Sequence, residues 1–156
     1  MTDNLMDYGD YLDKTKIPLR LAVKTKSGWP VVLSLWYIHL EGSLYLATRG
    51  GARVVAHLLN DPACAFEIAS DLPPYCGIRG QARAAVMEDR GVEILERLID
   101  RYLGGKQNNL AEMLIRNSAD EVAIRLDPVN LTSWNFSSRM ADVSPAMQSL
   151  NLKSCP

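Results

Sequence analysis

Thr48-Arg49-Gly50-Gly51-Ala52-Arg53 is the stretch whose residue types and spacing could do chemistry. Two guanidinium forks suited to phosphate oxygens flank a pair of glycines. The glycines let a ligand approach the backbone closely, and Thr48 adds a hydroxyl. If a helix opens at this turn, free backbone N–H groups and the positive end of its macrodipole point at one spot. A phosphate-bearing ligand is then the natural occupant. The competing reading, a solvated turn with two surface arginines, is the commoner fate of an isolated Arg-Gly-Gly-x-Arg, and both stay open at this point. The turn is not a P-loop, because no Lys-Ser/Thr pair follows the glycines.

The flanking sequence supplies the elements that must position this turn. Pro30 to Ile38 reads as a strand, Glu41-Gly42-Ser43 as a tight turn, and Leu44 to Thr48 as a second strand. Val54, Val55, Leu58 and Leu59 then fall on one helical face, so the spacing predicts a helix over Ala52 to Leu59, stopped by Asn60-Asp61-Pro62. Val31 to Ile38 is almost wholly apolar apart from Ser34, which implies cover on both faces.

The rest of the chain continues in short elements. A short helix is expected around Asp7 to Lys14, and Ile17 to Lys24 alternates as a half-buried strand closed by a Lys26-Ser27-Gly28 turn. Ala63 to Ala69 and Tyr75 to Met87 read as strands, with Gly80 marking a bulge or a close approach. Gly91 to Leu103 is the clearest helix, with Val92, Leu95, Leu98, Ile99 and Tyr102 on its apolar face. A second helix is expected over Asn109 to Arg116, then a strand over Glu121 to Leu126. Asp127-Pro128 is read as a turn into Val129 to Phe136. About six strands and small helices that do not alternate regularly predict a mainly β, antiparallel barrel with peripheral helices.

At 156 residues the chain suits one domain with a sizeable core. Its net charge of −1 argues against a nucleic-acid binder, and no apolar run approaches membrane-spanning length. Asp3 and Asp7 spoil a signal-peptide reading of the N-terminus. Cys64, Cys76 and Cys155 are odd in number and widely spaced, which predicts reduced thiols in a cytoplasm. Neither His39 nor His57 has a cysteine or carboxylate at metal-ligand spacing, so no metal site is expected. His57 reads as a surface or packing residue, and no catalytic residue is assigned.

Pro30-Val31-Val32-Leu33-Ser34-Leu35-Trp36-Tyr37 followed by Leu44-Tyr45-Leu46-Ala47-Thr48 resembles the flavin-binding split-barrel family, the superfamily of pyridoxamine-phosphate oxidase. So do Ala52-Arg53 through Leu59-Asn60-Asp61-Pro62, the segment Ile78-Arg79-Gly80-Gln81-Ala82, and Asp127-Pro128 with Ser133-Trp134-Asn135-Phe136. The resemblance implies a six-stranded antiparallel split barrel over 17–139, preceded by an arm over 1–16 and followed by a flexible tail over 140–156. It also implies a homodimer with FMN, or alternatively a deazaflavin, at the subunit interface.

Carried over by position, Val32, Leu33, Ser34, Leu35 and Trp36 would line the ring, through backbone groups and the Ser34 hydroxyl. Ala47 and Thr48 would meet the ring edge and ribityl chain. Arg53, with Arg49 as a weaker candidate, would grip the phosphate, and Tyr75 and Trp134 would reach in from the second subunit. The oxidase's own basic residues along the first strand and just after Arg53 are missing, Val54 standing in the latter place. That points away from pyridoxamine phosphate. The resemblance implies hydride transfer to a small conjugated substrate, or in other relatives a flavin store, a flavin sensor or a cofactor-free interaction module.

Overall fold

The computed structural model describes residues 4–142 and 155–156. Seven strands form one sheet: β1 (Leu19–Lys24), β2 (Pro30–Leu35), β3 (Ile38–Leu40), β4 (Ser43–Arg49), β5 (Ala63–Ala69), β6 (Cys76–Met87) and β7 (Glu121–Asn135). Four α-helices accompany them: α1 (Gly9–Lys14), α2 (Arg53–Asn60), α3 (Gly91–Leu103) and α4 (Asn109–Arg116). The spatial order is β2-β1-β5-β6-β7-β4-β3, and every pairing is antiparallel.

The two ends of that order are consecutive in the chain. Only Trp36 and Tyr37 separate β2 from β3, so Leu35 and Ile38 lie at most about 11 Å apart, three Cα steps. The sheet must therefore curl until its edges meet at this bend. That makes a barrel, split where β2 and β3 diverge. The bend also gives the sheet one strand more than the expected six, because Pro30 to Ile38 is not one strand. At the break the Tyr37 N–H donates to Tyr102 Oη (3.3 Å) and Trp36 stacks on the Tyr102 ring at 5.0 Å.

The interior is filled by alternate residues of the strands, among them Leu19, Leu21, Leu44, Leu46, Ile68, Ile78 and Ile124. Helix α2 adds Val54, Val55 and Leu58 to that core, and Leu5, Tyr11 and Leu12 add to it from the N-terminal segment. Helix α3 covers the outer face of β3, β4 and β7, where Ile94 and Leu98 meet Ile38, Tyr45 and Ala123, and α4 packs against α3 through Ala111. The apolar face of α3 is rotated from the expected one: Val92 is exposed and Ile94 takes the buried place. The outer face of β2, β1, β5 and β6 has no helix over it among the described residues.

Asp127-Pro128 does not turn the chain. Strand β7 runs through it and absorbs Val129 as a bulge, since Gln81 pairs with Asn130 and Ala82 with Pro128. Pro128 needs no donor at a bulge. Gly80 is the close approach and not the bulge: a Cβ there would lie 2.5 Å from the Asn130 carbonyl oxygen and 2.9 Å from the Phe66 ring. The cysteines also depart from expectation. Cys76 and Cys155 form a disulfide, and only Cys64 is free. Most of the expected tail over 140–156 lies outside the described residues. No described helix is long and apolar enough to cross a membrane.

Candidate functional site

The chain leaves β4 at Arg49 and reaches α2 through Gly50-Gly51-Ala52. The Gly50 N–H donates to the Asp120 carbonyl (2.7 Å) and the Ala52 N–H to the Arg49 carbonyl (3.0 Å), which fixes the turn. Ala52 occupies the N-cap position and has no side chain with which to cap. The first-turn N–H groups of Arg53 and Val54 therefore lack the acceptor that Ser, Thr, Asp or Asn would provide. No acidic residue stands in that turn. Arg53 itself is exposed and makes no ion pair or hydrogen bond recorded among the described residues. An uncapped positive pole with an unpaired guanidinium is a fit for a phosphate dianion.

Beside this pole lies a hollow of about 500 Å³ between α2 and the β1–β2 hairpin. Val23, Val31, Leu33 and Val54 form its apolar walls, and Arg53, His57 and Thr25 supply its polar groups. The size falls within the roughly 300–1,000 Å³ of small-molecule sites. His57 is one helical turn from Arg53, and the i, i+4 spacing places both on the same face.

The expected site residues divide between surfaces, because successive strand residues point to opposite sides. Leu33 faces the α2 hollow. Val32 faces away, into a hollow of about 490 Å³ on the uncovered outer face, with Arg20, Ala22, Glu67 and Arg79. Ser34 stands opposite Arg20 in register on that outer side, while Leu35 leans on the core. As a terminal strand of the sheet, β2 has a ladder partner on one side only, so its backbone is open along the other edge. Trp36 is held in its stack on Tyr102.

Ala47 is packed beneath α3, and Thr48 pairs with Val122. Arg49 stands in register with Glu121. Burial, reinforced by Asp120, raises the Glu121 carboxyl above its ordinary range, and Arg49 opposes that rise. Arg49 is thus partly engaged where Arg53 is not. Tyr75 is half-exposed at the start of β6, and the Arg79 guanidinium lies 4.2 Å from the centre of the Trp134 ring.

His57 is the residue that sequence reasoning set aside, although its i, i+4 relation to Arg53 was visible. The outer-face row Arg20, Glu67 and Arg79 carried no such signal. Its members come from three strands and meet only through the register Arg20–Glu67–Arg79.

Barrel, bend and uncovered sheet face together define the split-barrel class of folds, the one to which pyridoxamine-phosphate oxidase-like proteins belong. A conserved hypothetical protein from Mycobacterium tuberculosis superposes with a TM-score of 0.72 at 18% identity, over 86% of each chain. An F420 reductase gives 0.64 at 21% identity over 79% of this chain and 94% of its own. A Listeria innocua protein provisionally classed as a pyridoxamine 5′-phosphate oxidase gives 0.60 at 17% identity over 79% and 91%. No protein-family model matches the sequence, and no curated protein is significantly similar to it.

Proposed function

We propose that this chain is a flavin-type oxidoreductase that holds FMN or a deazaflavin by its phosphate at the start of α2, as a homodimer. The observation that carries the reading is the uncapped, acid-free first turn of α2 with the unpaired Arg53 beside the hollow. The F420 reductase among the structural neighbours supports it, since F420 is a deazaflavin. Such a cofactor supplies hydride transfer itself when bound, and the chain's task is to hold and orient it.

In this reading Arg53 and the Arg53 and Val54 N–H groups grip the phosphate. His57 closes on the same hollow from one turn further along, and Thr48 offers its hydroxyl from the end of β4. The open backbone edge of β2 over Val32 to Leu35 borders the ring with Trp36 just beyond it, and Tyr75 and Trp134 approach from the second copy. The substrate is a small conjugated molecule on the ring's free face, not pyridoxamine phosphate.

Titration of FMN and of a reduced deazaflavin, followed by fluorescence, tests this directly. Arg53→Ala should lose on the order of 1.5–3 kcal/mol of FMN binding, roughly 10- to 150-fold, while riboflavin, which lacks the phosphate, binds as before. An unchanged FMN affinity removes the phosphate assignment. Turnover with a nicotinamide donor or reduced deazaflavin separates an enzyme from a store or sensor, and failure to bind either cofactor rejects the reading.

A further inference from the structure

We infer that the flavin is held as a dinucleotide, its first phosphate at Arg53, a second at His57, and a nucleobase in the hollow between α2 and the β1–β2 hairpin. This deepens the flavin reading above and rests on it, since it names which flavin the site takes. Two elements set the same direction. Along α2, running away from Thr48 and the glycine pair, Arg53 comes first and His57 one turn later. Along β2, the proposed ring borders the stretch that ends at Leu35, and the hollow extends the other way, to Val31 and to Thr25 beside the hairpin turn. A ligand that passes Thr48 and brings a phosphate to Arg53 is therefore headed into the hollow.

The walls decide what continues the ligand. On the hairpin side they are apolar at Val23, Val31 and Leu33. The one polar side chain there, Thr25, is engaged within the hairpin: its hydroxyl donates to the Trp29 carbonyl (3.0 Å) and lies 2.9 Å from Ser27 Oγ. On the α2 side stand Arg53 and His57, whose side chains have no hydrogen bond or ion pair recorded among the described residues. No carboxylate among the described residues lines the hollow. The occupant is thus anionic along α2 and apolar against the hairpin.

FMN meets only part of this description. Its chain ends at the phosphate, and a hollow of about 500 Å³ with aliphatic walls is more than a phosphate uses. A second phosphate gives His57 an anionic partner of its own. A nucleobase lays an apolar face on Val31 and Leu33 and keeps its polar edge toward water at the mouth. A longer polyanionic tail would set charge against those aliphatic walls, which is unfavourable where no partner meets it. Flavin adenine dinucleotide (FAD) has the required order of groups: ring, ribityl chain, two phosphates, base.

Calorimetric titration of the full-length protein with riboflavin, FMN and FAD tests this. The wild type should bind FAD at least about tenfold more tightly than FMN. Val31 is half-exposed, so Val31→Glu should fold, and it puts a carboxylate where the base would sit. That variant should bring FAD down to within about twofold of FMN and leave FMN as in the wild type. A smaller wild-type preference for FAD overturns the dinucleotide and leaves the flavin reading standing. So does a preference that survives Val31→Glu. Equal losses of FMN and FAD in a Val31→Glu protein that melts with the wild type overturn it as well, because the ring and not the base then fills the hollow. Should Val31→Glu fail to fold, the wild-type ratio decides alone. A wild type that binds none of the three rejects both readings together.

Discussion

Arg101 turns its guanidinium inward, donating to the carbonyl oxygens of Leu12, Asp13 and Thr15 while lying 5.1 Å from the centre of the Tyr37 ring. Tyr37 Oη stands 2.9 Å from two of the same carbonyls, Leu12 and Thr15. That arginine is structural, tying α3 to the end of α1. Arg53, with the same chemistry, has no such partners among the described residues, which is why the proposed function gives it the phosphate.

His39 shows the other use of a polar side chain at this scale. Its Nε2 is buried without a hydrogen-bond partner, and burial lowers its pKa below the usual value against the opposing pull of Asp13. A base whose folded pKa is lowered binds its proton more readily when unfolded. Stability is therefore intact above about pH 6.5, the unfolded value, and declines as the pH falls from there toward the folded pKa. Between pH 7.5 and 5.5 the wild type should lose more Tm than His39→Gln. Equal losses would mean that this histidine is not a source of acid sensitivity.

At the scale of elements, Gly91 decides how α3 sits on the barrel. A Cβ at this position would fall 1.9 Å from the Glu121 carbonyl oxygen, a backbone atom that no side-chain rotation can move. Helix α3 can lie flush on β7 only because its first residue has no side chain. Gly91→Ala should cost about 3 kcal/mol, the top of the usual overpacking range, and lower Tm on the order of 10 °C. A variant melting with the wild type would show that α3 lifts off β7 freely. Helix α2 carries the complementary lesson. Val54, Val55 and Leu58 anchor it in the core, so its first turn is held rigidly beside the glycine pair. A ligand there meets donors already in place.

For the whole molecule the telling feature is the outer face of β2, β1, β5 and β6, which no helix covers among the described residues. Its floor is small-chained at Ala22 and Ala65, and Arg20, Glu67, Arg79 and Gln81 lie around it. Val32, two-thirds exposed, adds apolar area that water does not favour. The proposed homodimer would use this surface, bringing Tyr75 and Trp134 of each copy toward the other's β2. Ala65→Glu should shift a dimer toward monomer in sedimentation and weaken FMN binding with it. A wild type that sediments as a monomer at micromolar concentration rejects this assembly.

Two helices were legible to the residue, Gly91–Leu103 and Asn109–Arg116, because glycine, asparagine and the 3.6-residue period are local signals. The glycine turn and its arginines were legible for the same reason. Other features depend on partners far along the chain. The Trp36-Tyr37 bend exists because the sheet closes, Val129 bulges because β6 sets the register, and Asn135 meets Cys76 because β7 returns alongside β6. Periodicity and turn residues determined that this is an antiparallel barrel with a glycine-rich turn between two arginines. Only the tertiary structure decided that Arg53 has no partner among the described residues while Arg49 faces Glu121, that α2 shares a hollow with the β1–β2 hairpin, and that a chain with three cysteines bonds two of them. Each of these is a distance between residues remote in sequence, which local preference does not fix.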